Sequence, residues 1–110
     1  MPVIELHTTG RKSGAPRTTM LTVPVIDGDS LVLVASKGGS DADPDWFKNI
    51  VAQPDVEVTL NGERRTMRAR VATPQEKAAL WPRAVATYRH YAGYQRRTTR
   101  DIPLVICDPR

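Results

Sequence analysis

One cysteine, Cys107, in a chain of 110 residues excludes an internal disulfide. It lies in the apolar run Ile102 to Cys107, where it reads as a buried, inert thiol rather than a nucleophile. Histidine is scarce too: His7 and His90 stand alone, with no second ligand at metal-binding spacing, so no metal is expected. No stretch approaches the roughly 20 apolar residues of a membrane-crossing helix, and no basic segment with a long apolar follower opens the chain at Met1. The expected compartment is the cytoplasm. No GxGxxG follows a strand, which argues against a nicotinamide site. Zinc-finger, helix-turn-helix and RNA-recognition patterns are missing, as are internal repeats. Ser36 has no assigned histidine and carboxylate partners, and no carboxylates form a recognisable acid and base pair.

What remains is enough for one compact domain, residues 1–110, with an ordinary soluble composition of 40% apolar and 25% charged residues. The net charge of +4 favours an anionic partner. Twelve arginines against four lysines suit forked recognition of phosphate or carboxylate. The bases are spread along the chain rather than gathered on one helix, so nucleic acid is not the expected ligand.

In chain order, Val3 to Thr8 reads as a strand and Thr18 to Ile26 as a second, with Thr19, Leu21, Val23 and Val25 on one face. Asp27-Gly28-Asp29 turns into Leu31 to Ala35, an apolar run whose length suits a strand covered on both faces. Asp43 is the expected N-cap of a helix that has Pro44 as its first residue and ends near Ala52. Val56 to Leu60 and Glu63 to Val71 flank Asn61-Gly62, a strong hairpin signal. Thr73-Pro74-Gln75-Glu76 is a capping box for a second helix, in which Pro82 predicts a kink or early break near Trp81. Ile102 to Cys107 closes the chain as a buried strand. About six strands joined mostly by hairpins, with two helices, predict a small antiparallel barrel or an α+β sheet.

Three polar features stand out. Gly10 to Arg17 packs Arg11, Lys12, Ser13 and Arg17 into one turn, either a concentrated positive site or a solvated hairpin tip. Ser36-Lys37-Gly38-Gly39, between a buried strand and a helix start, offers a hydroxyl, a cation and close approach to the backbone; the alternative is an ordinary surface turn. Tyr88, Tyr91 and Tyr94, spaced by three, put three phenols near one edge, for packing or for stacking on a flat ligand with a hydroxyl to donate. Sites for an anion and a flat ring without a nucleophile fit an enzyme whose chemistry lies in a cofactor, and fit a binding protein equally well.

Taken together, TTGRKSGAPR (Thr8 to Arg17), VASKGGSDADPDWFKNIVAQPDVEV (Val34 to Val58) and YRHYAGYQRRTTRDIPLVI (Tyr88 to Ile106) resemble the deazaflavin-dependent nitroreductases. That resemblance implies a split β-barrel that uses coenzyme F420 to reduce a small electron acceptor such as a quinone, a nitro compound or an activated alkene. It implies Arg11, Lys12, Ser13 and Arg17 on the cofactor's phosphate or oligoglutamate tail, and Lys37, Gly38 and Gly39 as a cradle. Trp46 and Asn49 would belong to the adjoining helix wall, while Ser36, Tyr88, Tyr91 and Tyr94 would border the reacting ring and the substrate, with a tyrosine or Ser36 assisting proton delivery or orienting an oxygen acceptor. Two other readings stay open: a non-catalytic deazaflavin carrier, and an FMN-binding split-barrel oxidase. Peripheral association with the inner face of the plasma membrane also stays open, though nothing in the chain itself supports it, and monomer and homodimer are both compatible with the sequence. His7 stands where the family pattern is apolar.

Overall fold

A computed structural model describes residues 1–110. Seven antiparallel strands form a curled half-barrel: β1 (Val3–Thr9), β2 (Pro16–Thr22), β3 (Val25–Asp27), β4 (Ser30–Val34), β5 (Asp55–Leu60), β6 (Glu63–Val71) and β7 (Leu104–Pro109). Their order across the sheet is β2-β1-β5-β6-β7-β4-β3. Three helices complete it: α1 (Asp45–Ala52), α2 (Pro74–Thr87) and α3 (His90–Arg96). A single 3₁₀ turn, Lys37–Gly39, follows β4. The antiparallel, mainly β architecture is the expected one, with one more strand and one more helix.

The extra strand arises at Pro24. Proline lacks the N–H that a ladder needs, so the stretch expected to run from Thr18 to Ile26 stops at Thr22 and resumes at Val25. Val23 and Val25 therefore part company. Val23 packs inside the half-barrel with Leu31 and Leu33, while Val25 packs on the outer face with Val32. Alternation puts Leu31, Leu33, Val105 and Cys107 inward and Val32, Leu104 and Ile106 outward, so β4 and β7 are buried on both faces. Burial pushes the Cys107 thiol up to about 12, and it stays protonated.

Helix boundaries depart from expectation in three places. Pro44, not Asp43, takes the N-cap position of α1, and it offers no side-chain acceptor. Pro82 sits inside α2 without ending it. Both Pro82 and Ala78, whose carbonyl loses its helical donor to the proline, are solvent-exposed, so water can take the place of the missing bond. Helix α2 does end at Thr87, and Tyr88 begins the break before α3. The capping box is formed: Glu76 N–H donates to Thr73 Oγ1 at 3.2 Å and Thr73 N–H to Glu76 Oε1 at 2.9 Å. The β5–β6 turn has Asn61 at φ +53° and Gly62 at φ +78°, as a primed hairpin turn requires.

His7 bridges the outer face of the sheet. Its Nδ1 lies 3.0 Å from Thr18 Oγ1 on β2 and its Nε2 lies 2.8 Å from Thr59 Oγ1 on β5, a polar ladder that an apolar side chain could not make. No helix is long and apolar enough to cross a membrane.

Candidate functional site

Two recesses meet at Trp46. The larger, about 470 Å³, lies at the end of β4 and is lined by Leu21, Thr22, Leu33, Val34, Ser36, Lys37, Gly38, Pro44, Trp46 and the three tyrosines. The smaller, about 290 Å³, is polar and bounded by Gly10 to Ser13, Arg17 to Thr19, Asp45, Trp46 and Asn49. Lys12 and Lys37 thus line two recesses that have Trp46 in common.

The tyrosines converge although no continuous helix carries them. Ring centroids are 4.9 Å apart for Tyr88 and Tyr91, 6.3 Å for Tyr91 and Tyr94, and 6.4 Å for Tyr88 and Tyr94, in edge-on or tilted pairs typical of aromatic clusters. The Tyr88 and Tyr94 hydroxyls are 3.4 Å apart, and Tyr91 Oη is 3.5 Å from Thr22 Oγ1. The hydrogen bond to Tyr94, then desolvation, holds the Tyr88 phenol above its ordinary range; at Tyr91 burial does so, against the Thr22 contact. Since an ordinary phenol already titrates near 10, both are neutral proton donors at pH 7 and not bases.

At the mouth, Lys37 takes a left-handed φ of +45°, unusual for a residue with a side chain. Ser36 is buried on the cleft wall, and its hydroxyl makes no capping bond to the turn. Gly38 lines the cleft, and Gly39 serves a different contact. A Cβ on Gly39 would stand 2.8 Å from the Tyr94 carbonyl oxygen, so the absence of a side chain lets the turn seat against α3.

In the polar recess, Arg11 is already engaged. Its backbone N–H and Nη1 donate to Asn49 Oδ1 at 3.1 and 2.9 Å, and its Nη2 lies 3.4 Å from Asp45 Oδ1. Arg11 and the buried Asn49 therefore pin the loop to α1. Ser13 Oγ accepts from Ala15 N–H at 3.1 Å, which leaves its own O–H free to donate. Lys12, Arg17 and Lys37 have no carboxylate partner among the ion pairs of the chain. They are cations available to a ligand.

Sequence reading did not find Leu21, Thr22, Leu33, Val34 or Pro44 as cleft walls. Strand parity was the available signal for Leu21 and Leu33, but which face meets the ligand depends on how the sheet curls. Asp45 was visible as a favourable helix-start charge and not as a carboxylate inside a cationic recess.

A curled antiparallel sheet with an aromatic cleft at one end and a cationic recess beside it places the chain among the split-barrel reductases. A structure of an F420-H2-dependent reductase superposes with a TM-score of 0.87 at 36% identity, covering 97% of this chain and 94% of that one. Another, described as a domain-swapped dimer, superposes with a TM-score of 0.88 at 36% identity, covering 97% and 80%. The model of the F420H(2)-dependent quinone reductases matches residues 1–109, so the chain belongs to that family. An F420H(2)-dependent quinone reductase of Mycobacterium tuberculosis is 41% identical over 112 residues, 99% of this chain and 74% of the relative.

Proposed function

We propose that residues 1–110 work as one deazaflavin-binding unit that reduces electron-poor acceptors, quinones first among them, with reduced coenzyme F420 as the reductant. The observation that carries this reading is the junction at Trp46. A flat-walled, largely apolar cleft on one side and a recess with unpaired cations on the other are the two environments that a planar ring with a polyanionic tail requires.

The residues present fit that cofactor. Lys12 and Arg17 would hold the phosphate and acidic tail, with the free Ser13 O–H donating beside them. Arg11 and Asn49 would act mainly by fixing the loop against α1. Lys37 and the backbone at Gly38 would face the ring, over a floor of Leu33, Val34 and Trp46. When bound, the reduced deazaflavin supplies a hydride for the acceptor. The chain's own contribution is placement, charge neutralisation and exclusion of water. Tyr88, Tyr91, Tyr94 and Ser36 line this cleft, and their hydroxyls would orient an acceptor oxygen and donate to it as negative charge develops there.

Parallel titrations with coenzyme F420 and FMN test the reading, followed by oxidation of the reduced deazaflavin with a panel of quinones and nitroaromatics. The expected result is saturable F420 binding, much weaker FMN binding, and turnover with quinones. Binding with no turnover across the panel would make the protein a carrier, and copurification of yellow FMN would make it an oxidase.

A further inference from the structure

We propose that Arg100 is a positioning residue that sets the shape of the cleft mouth, an inference that rests on the reading above for its effect on turnover. Arg100 lines neither recess, and only 15% of its side chain is exposed. Four hydrogen bonds account for that burial. Nε donates to the Ser40 carbonyl at 2.8 Å, Nη1 to Asp43 Oδ1 at 3.1 Å, and Nη2 to the Ala35 and Ser36 carbonyls at 3.2 and 2.9 Å.

These acceptors belong to the exit of β4, the 3₁₀ turn and the approach to α1. The backbone of Arg100 is held in turn from α3: Gln95 Nε2 donates to the Arg100 carbonyl at 2.8 Å, and Gln95 Oε1 accepts from Ile102 N–H at 2.9 Å. Gln95 directly follows Tyr94. Through its guanidinium and its backbone carbonyl, Arg100 therefore ties together the segments that present Ser36 to Gly38, Pro44 and Trp46, and the tyrosines.

The clamp answers a local need. Lys37 holds a left-handed conformation that a lysine adopts only when its surroundings impose it. The Ser36 carbonyl just before it is fixed by both Arg100 Nη2 and Gly39 N–H, the latter at 2.9 Å. A planar fork can reach four oxygens spread over nine residues, whereas a lysine ammonium offers three donors from one point. Charge alone cannot do this work.

The test compares Arg100→Lys with Arg96→Gln, an exposed α3 arginine outside every ion pair. Hydrogen exchange on the ligand-free proteins, F420 titration, and steady-state turnover with menadione are measured on each. For Arg100→Lys, residues 35–43 should exchange at least about tenfold faster with β5 and β6 unchanged, because local opening is no longer tied to global unfolding. Its kcat should fall about 30- to 100-fold, as for a reacting ring misplaced by a fraction of an ångström, while the F420 Kd stays within about threefold because the tail-binding cations Lys12 and Arg17 make no contact with Arg100. Arg96→Gln should match wild type in all three.

A kcat for Arg100→Lys within threefold of wild type overturns the proposal, as does a uniform rise in exchange with Kd and kcat lost together. If that variant does not fold, Asp43→Asn loosens a single arm of the clamp. It should lower kcat about three- to tenfold at constant Kd, and an unchanged kcat there is equally decisive against the proposal. Failure of the wild-type protein to bind F420 would sink the cofactor reading instead, while the exchange experiment would still report on the clamp.

Discussion

The tyrosine cleft and the cationic recess share Trp46 and are otherwise built in opposite ways. The cleft rests on β4, which is covered on both faces, and on the tyrosine segment of α3, whose Tyr91 packs with Leu80 and Ala84 of α2 against Val25, Val32, Leu104 and Ile106 in a second core on the outer face of the sheet. The recess rests on a turn, Gly10 to Arg17, whose cations are exposed, with Arg11 and Asn49 pinning it to α1. A reacting ring needs fixed distances, and a packed core supplies them. A flexible, multiply charged tail needs only positive potential within reach, which side chains on a loop can supply at any of several geometries. The difference predicts that substitutions in the cleft act on turnover and those in the recess act on affinity and its salt dependence.

Trp46→Ala should break the comparison outright, because Trp46 belongs to both recesses and is only 6% exposed in the main core. Truncating a buried tryptophan costs about 3–5 kcal/mol, so the denaturation midpoint should drop sharply and F420 binding should vanish with it. Lys12→Ala combined with Arg17→Ala should separate the two regions. Exposed charge pairs are individually weak, so the pair together should raise the F420 Kd about 10- to 30-fold, with kcat at saturation within about twofold of wild type. Raising salt should mimic this double variant in wild type and add little to it. A large kcat loss here would mean that the recess, too, positions the ring.

How much of this could be read beforehand divides along the same line. Features specified by neighbours in the chain were legible: the Asn61-Gly62 hairpin, the Thr73–Glu76 capping box, the two-faced burial of Leu31 to Leu33, and the cations of Gly10 to Arg17. Features specified across the fold were not. Asp43 reads locally as a helix cap, yet its carboxylate accepts from Arg100, 57 residues away. Gly39 reads as part of a ligand cradle, yet its missing side chain makes room for Tyr94 and Arg97. Pro82 reads as a helix breaker, and only its exposed setting makes it tolerable. The role of Arg11 shifted for the same reason, since its partner Asn49 is 38 residues distant.

Within the cleft, Tyr94→Phe should lower kcat about tenfold and leave the F420 Kd unchanged, because it deletes a donor while keeping the ring. The tyrosines also make a pH prediction. Tyr88 and Tyr91 hold their protons above the ordinary phenol range, so the folded chain binds them to higher pH than the unfolded chain does. Their contribution to stability is whole below about pH 10 and is lost as pH rises through the raised folded values. Thermal melts of Tyr91→Phe should accordingly lose less between pH 9.5 and 11 than wild type, whereas turnover should show no basic limb from these phenols below about pH 10.

The smallest effect, and the sharpest for the comparison, belongs to Asp45. This carboxylate lines the cationic recess, lies 3.4 Å from Arg11 Nη2, and is 81% exposed in its side chain. It favours the first turn of α1 electrostatically, but it opposes any polyanion that enters. Asp45→Asn should therefore destabilise the fold slightly, by about 0.3–1 kcal/mol or less, while tightening F420 binding about two- to threefold at low salt. The gain should fade as ionic strength rises, and kcat should not move. A variant that loses stability and improves affinity at once would show that α1 is stabilised by a charge that the tail recess works against. Weaker binding would mean instead that Asp45 acts through Arg11, holding the loop in the shape that the tail requires.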